Sequence, residues 1–157
     1  PRTVRLEWPA DGTPEPPPEA LAEAARWERA QPYVNTLMAL LAGIARGQIP
    51  EGYSLGTAKA GDRHRVVCGI AGLALEPAQR IQGASLAVIV LRAINRTEHG
   101  LHLEESACVT PGVLAVAAWP ITDIPPGVAT ELYVVVDDQP AQAPHRVRPS
   151  VLEAPNG

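Results

Sequence analysis

The chain contains no phenylalanine, one methionine (Met38), one lysine (Lys59) and two cysteines. Aromatic residues make up 4% of it, so a core has to be assembled from Val, Leu, Ile and Ala. A single lysine against twelve arginines, within a formal net charge of −4, argues against an electrostatic grip on nucleic acid, which needs a clustered positive patch. The densest basic stretch, Arg63-His64-Arg65, reads as a solvated strand end. No apolar run approaches the roughly 18 residues a membrane helix requires. A Gly-rich phosphate loop and a paired-carboxylate constellation are also missing, which leaves little for phosphoryl transfer or carboxylate acid–base chemistry to use.

Proline, by contrast, is abundant and unevenly placed. Pro14–Pro18 and Pro140–Pro155 hold many of the 17, so both ends read as extended, solvated segments, with 139–157 a disordered tail. The chain opens on Pro1, which suggests a fragment or processed form with any signal or anchor lying upstream. Arg2–Trp8 alternates apolar and polar residues like a strand from a preceding domain, and residues up to 18 form a linker.

A helical segment follows over residues 19–47. Glu19 to Ala25 are good helix formers with acid in the first turn, and Pro32 predicts a break at Gln31-Pro32. Beyond it Val34, Leu37, Met38, Leu41, Ile44 and Ala45 recur at helical spacing as one apolar stripe, and Gly47 and Pro50 mark its end. The stripe packs either on this chain's own sheet or on a partner.

Residues 48–138 read as a β domain. Leu86–Ile94, Leu101–Leu103, Val113–Trp119 and Leu132–Val136 are β-rich apolar runs separated by Asn95–Gly100, Thr110–Gly112 and Ile124–Gly127. Tyr53–Ala58, Arg65–Ile70 and Leu73–Leu75 are weaker candidates, and Gly69 and Gly72 hint at a bulge. Six or seven short strands with frequent turn signals predict a mainly β fold, an immunoglobulin-like antiparallel β-sandwich preceded by a helical segment. Two runs break the usual alternation. Leu86–Leu91 and Val113–Ala118 are apolar on both faces, so the sheet has to be covered on both sides. Either the helix at Val34–Ala45 or another protein chain covers it; as a surface for neighbouring subunits, its candidate partner contacts are Val88, Val90, Leu114, Val116, Trp119, Tyr133 and Val135, with edge pairing as the mode.

Catalytic and metal chemistry finds weaker support. Cys68 and Cys108 either form one disulfide, closing a loop worth about 3–4 kcal/mol, or pack as two small buried side chains. His64 and Cys68 as base and nucleophile lack an orienting third residue and a nucleophile elbow. His99 and His102 lie three apart on a strand and point to opposite faces, and His102 with Glu104 makes only two ligands. Asn95-Arg96-Thr97 is a glycosylation sequon but also an ordinary strand-ending turn, and Asp137-Asp138 reads as the solvated end of the last strand. No catalytic, metal or cofactor residue is assigned.

The order of these patches resembles a known family. Arg92-Ala93-Ile94-Asn95 closes a strand, Gly112 to Ala117 follows an acidic segment, and Pro126-Gly127 precedes Thr130 to Val135. This is similar to the C-terminal domain of TraK-type proteins of conjugative type IV secretion systems. The segments Trp27–Tyr33 and Gly47–Tyr53 are similar to the region just before that domain. The resemblance implies a non-enzymatic periplasmic subunit of the outer-membrane core complex of a Gram-negative bacterium. It implies a homo-oligomeric ring, a small outer-membrane lipoprotein partner (TraV-type), an inner-membrane-anchored scaffold (TraB-type) and no direct nucleic-acid contact. The negative balance and long Pro-rich tail depart from the family pattern. The alternative is an extracellular immunoglobulin-like module for a carbohydrate or surface ligand, which would gather Trp or Tyr side chains in a concave patch. Trp8, Trp27 and Trp119 are scattered in sequence.

Overall fold

A computed structural model of the chain describes residues 17–138 and 151–152. The expected strand at Arg2–Trp8, the linker to residue 16 and most of the 139–157 tail lie outside the described residues.

Two helices come first. Helix α1 spans Pro18–Arg29, with proline at its first position, where no amide hydrogen is needed, and Glu19 in its first turn. Pro32 falls between the helices, and α2 runs Tyr33–Ala45. Gly47, at φ 77°, follows the last turn, and the Gln48 amide donates back to the Gly43 carbonyl at 2.8 Å, a left-handed glycine cap. The predicted break and stop both follow from backbone chemistry.

The remaining elements are β1 (Ser54–Thr57), a one-turn α3 (Asp62–Arg65), β2 (Leu73–Gln82), β3 (Leu86–Asn95) and β4 (Leu101–His102). A 3-10 turn (Glu105–Cys108) leads to β5 (Val113–Trp119), β6 (Asp123–Ile124) and β7 (Ala129–Asp137). The fold is mainly β. Five antiparallel strands in the order β1-β2-β3-β7-β5 form the main sheet, and β4 pairs with β6 as a separate ribbon. The architecture is sandwich-like, with helices on one face of the main sheet and the ribbon and loops on the other.

The central strands explain the two-sided runs. On the helix face, Val88, Val90, Tyr133 and Val135 pack with Leu37, Leu40 and Ile44 of α2. On the other face, Ile89, Leu91, Leu132, Val134 and Val136 pack under Val66, Leu103, Cys108 and Ile124. Because successive strand side chains alternate faces, a strand sandwiched between two layers has to be apolar throughout. The chain supplies both layers itself, so apolarity on two faces is not, for β3 and β7, a surface left over for neighbours.

Three polar clasps hold the layers together. The Glu28 carboxylate accepts from the backbone amides of Ala84, Ser85 and Leu86 at 3.1–3.3 Å, from the Ser85 hydroxyl at 3.0 Å and from the Tyr53 hydroxyl at 2.7 Å. This ties α1 to the β2–β3 turn. Gly52 sits where α1 comes closest, since any Cβ there would collide with the Ala20 carbonyl. Arg80, fully buried, bridges Asp62 and Asp138, the latter at 2.7 Å, and Arg65 joins Asp138 at 3.2 Å. A buried guanidinium persists only when paired in this way. Asn95, also buried, donates its side-chain amide to the carbonyls of His99 and Ile124, both at 2.8 Å.

Several expectations are corrected. Arg65–Ile70 is no strand; it is a covering segment held by α3 and by the Gly69 amide on the Ala107 carbonyl at 3.0 Å. Leu73–Leu75 is only the start of a ten-residue strand, and the irregularity lies at Pro77/Gln79, where a bulge absorbs the proline, not at Gly69 or Gly72. Ile124 belongs to a strand as well as bordering a turn. In α2 the buried face is Thr36, Leu37, Leu40 and Ile44, while Val34 and Met38 are largely exposed. Asp138 is ion-paired, not merely solvated.

Candidate partner-contact surface

Any surface for a neighbour must come from what the two covering layers leave open. Strand β5 is one edge of the main sheet: it pairs with β7 alone, and among the described residues nothing pairs with its other side. Its sequence, Val113 to Trp119, holds no charge and no proline. Natural edge strands are usually blunted by lysine, proline or extreme shortness. The opposite edge follows that rule, since β1 is four residues long. β5 carries only a register shift between Val113 and Ala115, which leaves Leu114 as the bulged residue.

The side chains of β5 are half-buried from Val113 to Ala118, and Trp119 is 51% exposed. Leu114, Ala115 and Ala117 lean on the helix-side core, and Val116 and Ala118 on the other. Helix α2 packs over β5 and β7. Val34 and Met38 lie on the flank of α2 opposite Thr36, whose hydroxyl faces α1 through the Glu28 carbonyl at 3.2 Å. The bare flank of α2 therefore lies away from α1.

The seven candidate contacts divide accordingly. Leu114, Val116 and Trp119 lie on this edge strand and are wholly or partly accessible. Val88, Val90, Tyr133 and Val135 are between 0% and 4% exposed, beneath this chain's own helices, so as free contact residues they are corrected: β3 and β7 are central strands with both flanks and both faces occupied. Sequence reasoning missed Val34 and Met38 as exposed positions, because the helical stripe alone does not say which part of its width the sheet covers.

The remaining chemical candidates are placed as follows. Cys68 and Cys108 are joined as a disulfide, so Cys68 carries no free thiol for His64 to activate. The bridge links the 66–70 segment to the 3-10 turn over the second core. His102 lies on the exposed β4–β6 ribbon with Nδ1 at 2.7 Å from Asp123 and Nε2 at 3.7 Å from Glu104. The hydrogen bond to Asp123 raises its pKa above 6.5, although what little desolvation it has works the other way. His99 takes no part in this cluster, and among the described residues no group of three or more His, Cys, Asp or Glu is arranged to hold a metal. The tyrosines at 53 and 133 are pushed well above their ordinary pKa by burial and by hydrogen bonds to Glu28 and Glu131, so both are neutral donors. Trp27 meets Tyr53 edge to face inside the helix layer, with ring centroids 5.7 Å apart. Trp119 is the tryptophan left on the surface of the sheet, and Trp8 lies outside the described residues.

Among the described residues no helix is long and apolar enough to cross a membrane. No curated protein matches the chain. The family model of the TraK C-terminal domain matches residues 24–136, which covers both helices from Ala24 onward and the whole sheet except the last residue of β7. The chain therefore belongs to the TraK C-terminal domain family, that of a conjugative transfer protein.

Proposed function

We propose that this domain is a structural, non-enzymatic subunit of the outer-membrane core complex of a conjugative type IV secretion apparatus, working in the periplasm by protein–protein contact. Its partners are an outer-membrane lipoprotein of the TraV type, an inner-membrane-anchored scaffold of the TraB type, and further copies of itself in a ring. The observation that carries the reading is the uncharged open edge of β5. An unpaired row of backbone amides and carbonyls with apolar side chains to either side accepts an extended segment of another chain, main-chain bonds supplying affinity and side-chain pockets specificity. Helix α2, which packs over β5, also exposes the apolar Val34 and Met38. The Cys68–Cys108 bridge agrees with an oxidising compartment such as the periplasm.

The test is to mix the domain with a TraV-type outer-membrane lipoprotein and follow complex formation by size-exclusion chromatography. Co-migration is expected at tens of micromolar. Ala117→Lys on β5 should weaken it by about tenfold or more, because a charge on the pairing strand opposes addition, while Thr57→Lys on the other edge should not. Equal binding by both variants would remove β5 as the docking edge.

A further inference from the structure

The groove beside the C-terminal end of α2, with a volume of about 730 Å³, lies within the size range of small-ligand sites. It is lined by the buried Val90, Tyr133 and Ile44, by Ile49 and Leu55, and by the exposed Trp119. Four planar polar side chains also line it: Gln48, Gln79, Arg92 and Glu131.

All four are exposed to solvent, so a ligand in the groove can reach them. Among the described residues none hydrogen-bonds the side chains of Gln48, Gln79 or Arg92. Glu131 accepts from the Tyr133 hydroxyl through Oε2, which leaves Oε1. Arg92 sits opposite Glu131 on β7 and Glu76 on β2, but Glu76 is paired with Arg96 at 3.7 Å and Glu131 with the tyrosine.

We propose that this groove binds a short oligosaccharide carrying N-acyl groups. Planar amide, guanidinium and carboxylate groups present paired donors and acceptors that match the neighbouring hydroxyls of a sugar ring. The indole of Trp119 offers a flat apolar surface on which the C–H face of a ring lies. The aliphatic lining of Ile44, Ile49 and Leu55 suits an acyl methyl, and the side-chain amides of Gln48 and Gln79 suit the acyl amide. A purely apolar peptide fits less well, because it can answer these four polar groups only with its backbone amides, whereas a sugar ring presents several neighbouring hydroxyls. The proposal stands on this groove alone and does not depend on β5 as a docking edge.

The experiment titrates the chain with the β-1,4-linked tetramer of N-acetylglucosamine, following the Trp119 indole and Gln79 amide by NMR. Saturable shifts at both are expected, with the unsubstituted glucose tetramer at least about tenfold weaker. Trp119→Ala and Arg92→Ala should each weaken binding by about tenfold. Both sites are exposed, and thermal melting checks that each variant is folded. Should either fail, Gln79→Ala carries the same expectation. No shift at millimolar sugar, equal binding of the glucose tetramer, full binding by Trp119→Ala, or shifts produced only by an apolar peptide would each overturn the proposal.

Discussion

Removing the Cys68–Cys108 bridge is the perturbation with the largest effect that can be worked out in advance. The two cysteines are 40 residues apart in sequence. In the chain-entropy model, closing a loop of that size lowers the entropy of the unfolded chain enough to stabilise the fold by about 4 kcal/mol at 25 °C. For a domain of this size that corresponds to a fall of about 10–20 °C in Tm. The native side adds a local effect. The 66–70 segment is otherwise held to its neighbours by the Gly69–Ala107 backbone bond and by the Thr110 hydroxyl on the Arg65 carbonyl at 3.3 Å. Loosening it uncovers Ile89, Leu91 and Val134, so binding of a hydrophobic dye should rise before global unfolding. The assay is urea denaturation of the oxidised protein and of the Cys68→Ala/Cys108→Ala double variant, which keeps the small apolar side chains while cutting the link. A loss below about 1 kcal/mol, with no added dye binding, would refute the account, since it would mean that the covering layer stands without its cross-link.

Other perturbations follow from the polar clasps. Glu28→Ala leaves five donors without their acceptor and should cost about 2–3 kcal/mol in urea unfolding, whereas Tyr53→Phe, which removes only one of them, should cost about 1 kcal/mol. Burial works to raise the pKa of Asp138, but the hydrogen bond and charge of Arg80, with Gln82 and Arg65, outweigh it and hold the group below 3.8. Its contribution to stability is therefore present above that unfolded value and lost as pH falls through the lowered native one. Asp138→Asn should be less stable than the parent at neutral pH, with the gap closing below about pH 4, as thermal melts across pH will show. His102 should titrate above 6.5 by NMR because of Asp123, and Asp123→Asn should bring it back; a midpoint unchanged by that substitution would remove Asp123 as the cause.

Much of the scaffold was legible because local chemistry dictates it. Pro32 ends one helix and Gly47 the next, and Val113–Trp119 is an unbroken apolar run bounded by Gly112 and Pro120. The order of strand and turn patches carried the family resemblance, which the match over residues 24–136 agrees with. β2 was only half visible because Glu76, Pro77 and Arg80 interrupt its apolar pattern, and what rescues each is distant in sequence: a bulge for Pro77, and Asp62 and Asp138 for Arg80.

The sequence by itself determined that some strands are buried on both faces, since Leu86–Leu91 has no polar side to turn to water. It could not say what buries them, because the covering layers are helix α2 and a disulfide-linked loop brought in by contacts far apart in the chain. Strand order is likewise a tertiary fact. Only the placement of β7 between β3 and β5 moves the accessible apolar surface away from Val88 and Tyr133 and onto the β5 edge and Trp119. Period and composition fix how a residue is oriented on its own element, whereas its exposure depends on which neighbours the rest of the chain packs against it.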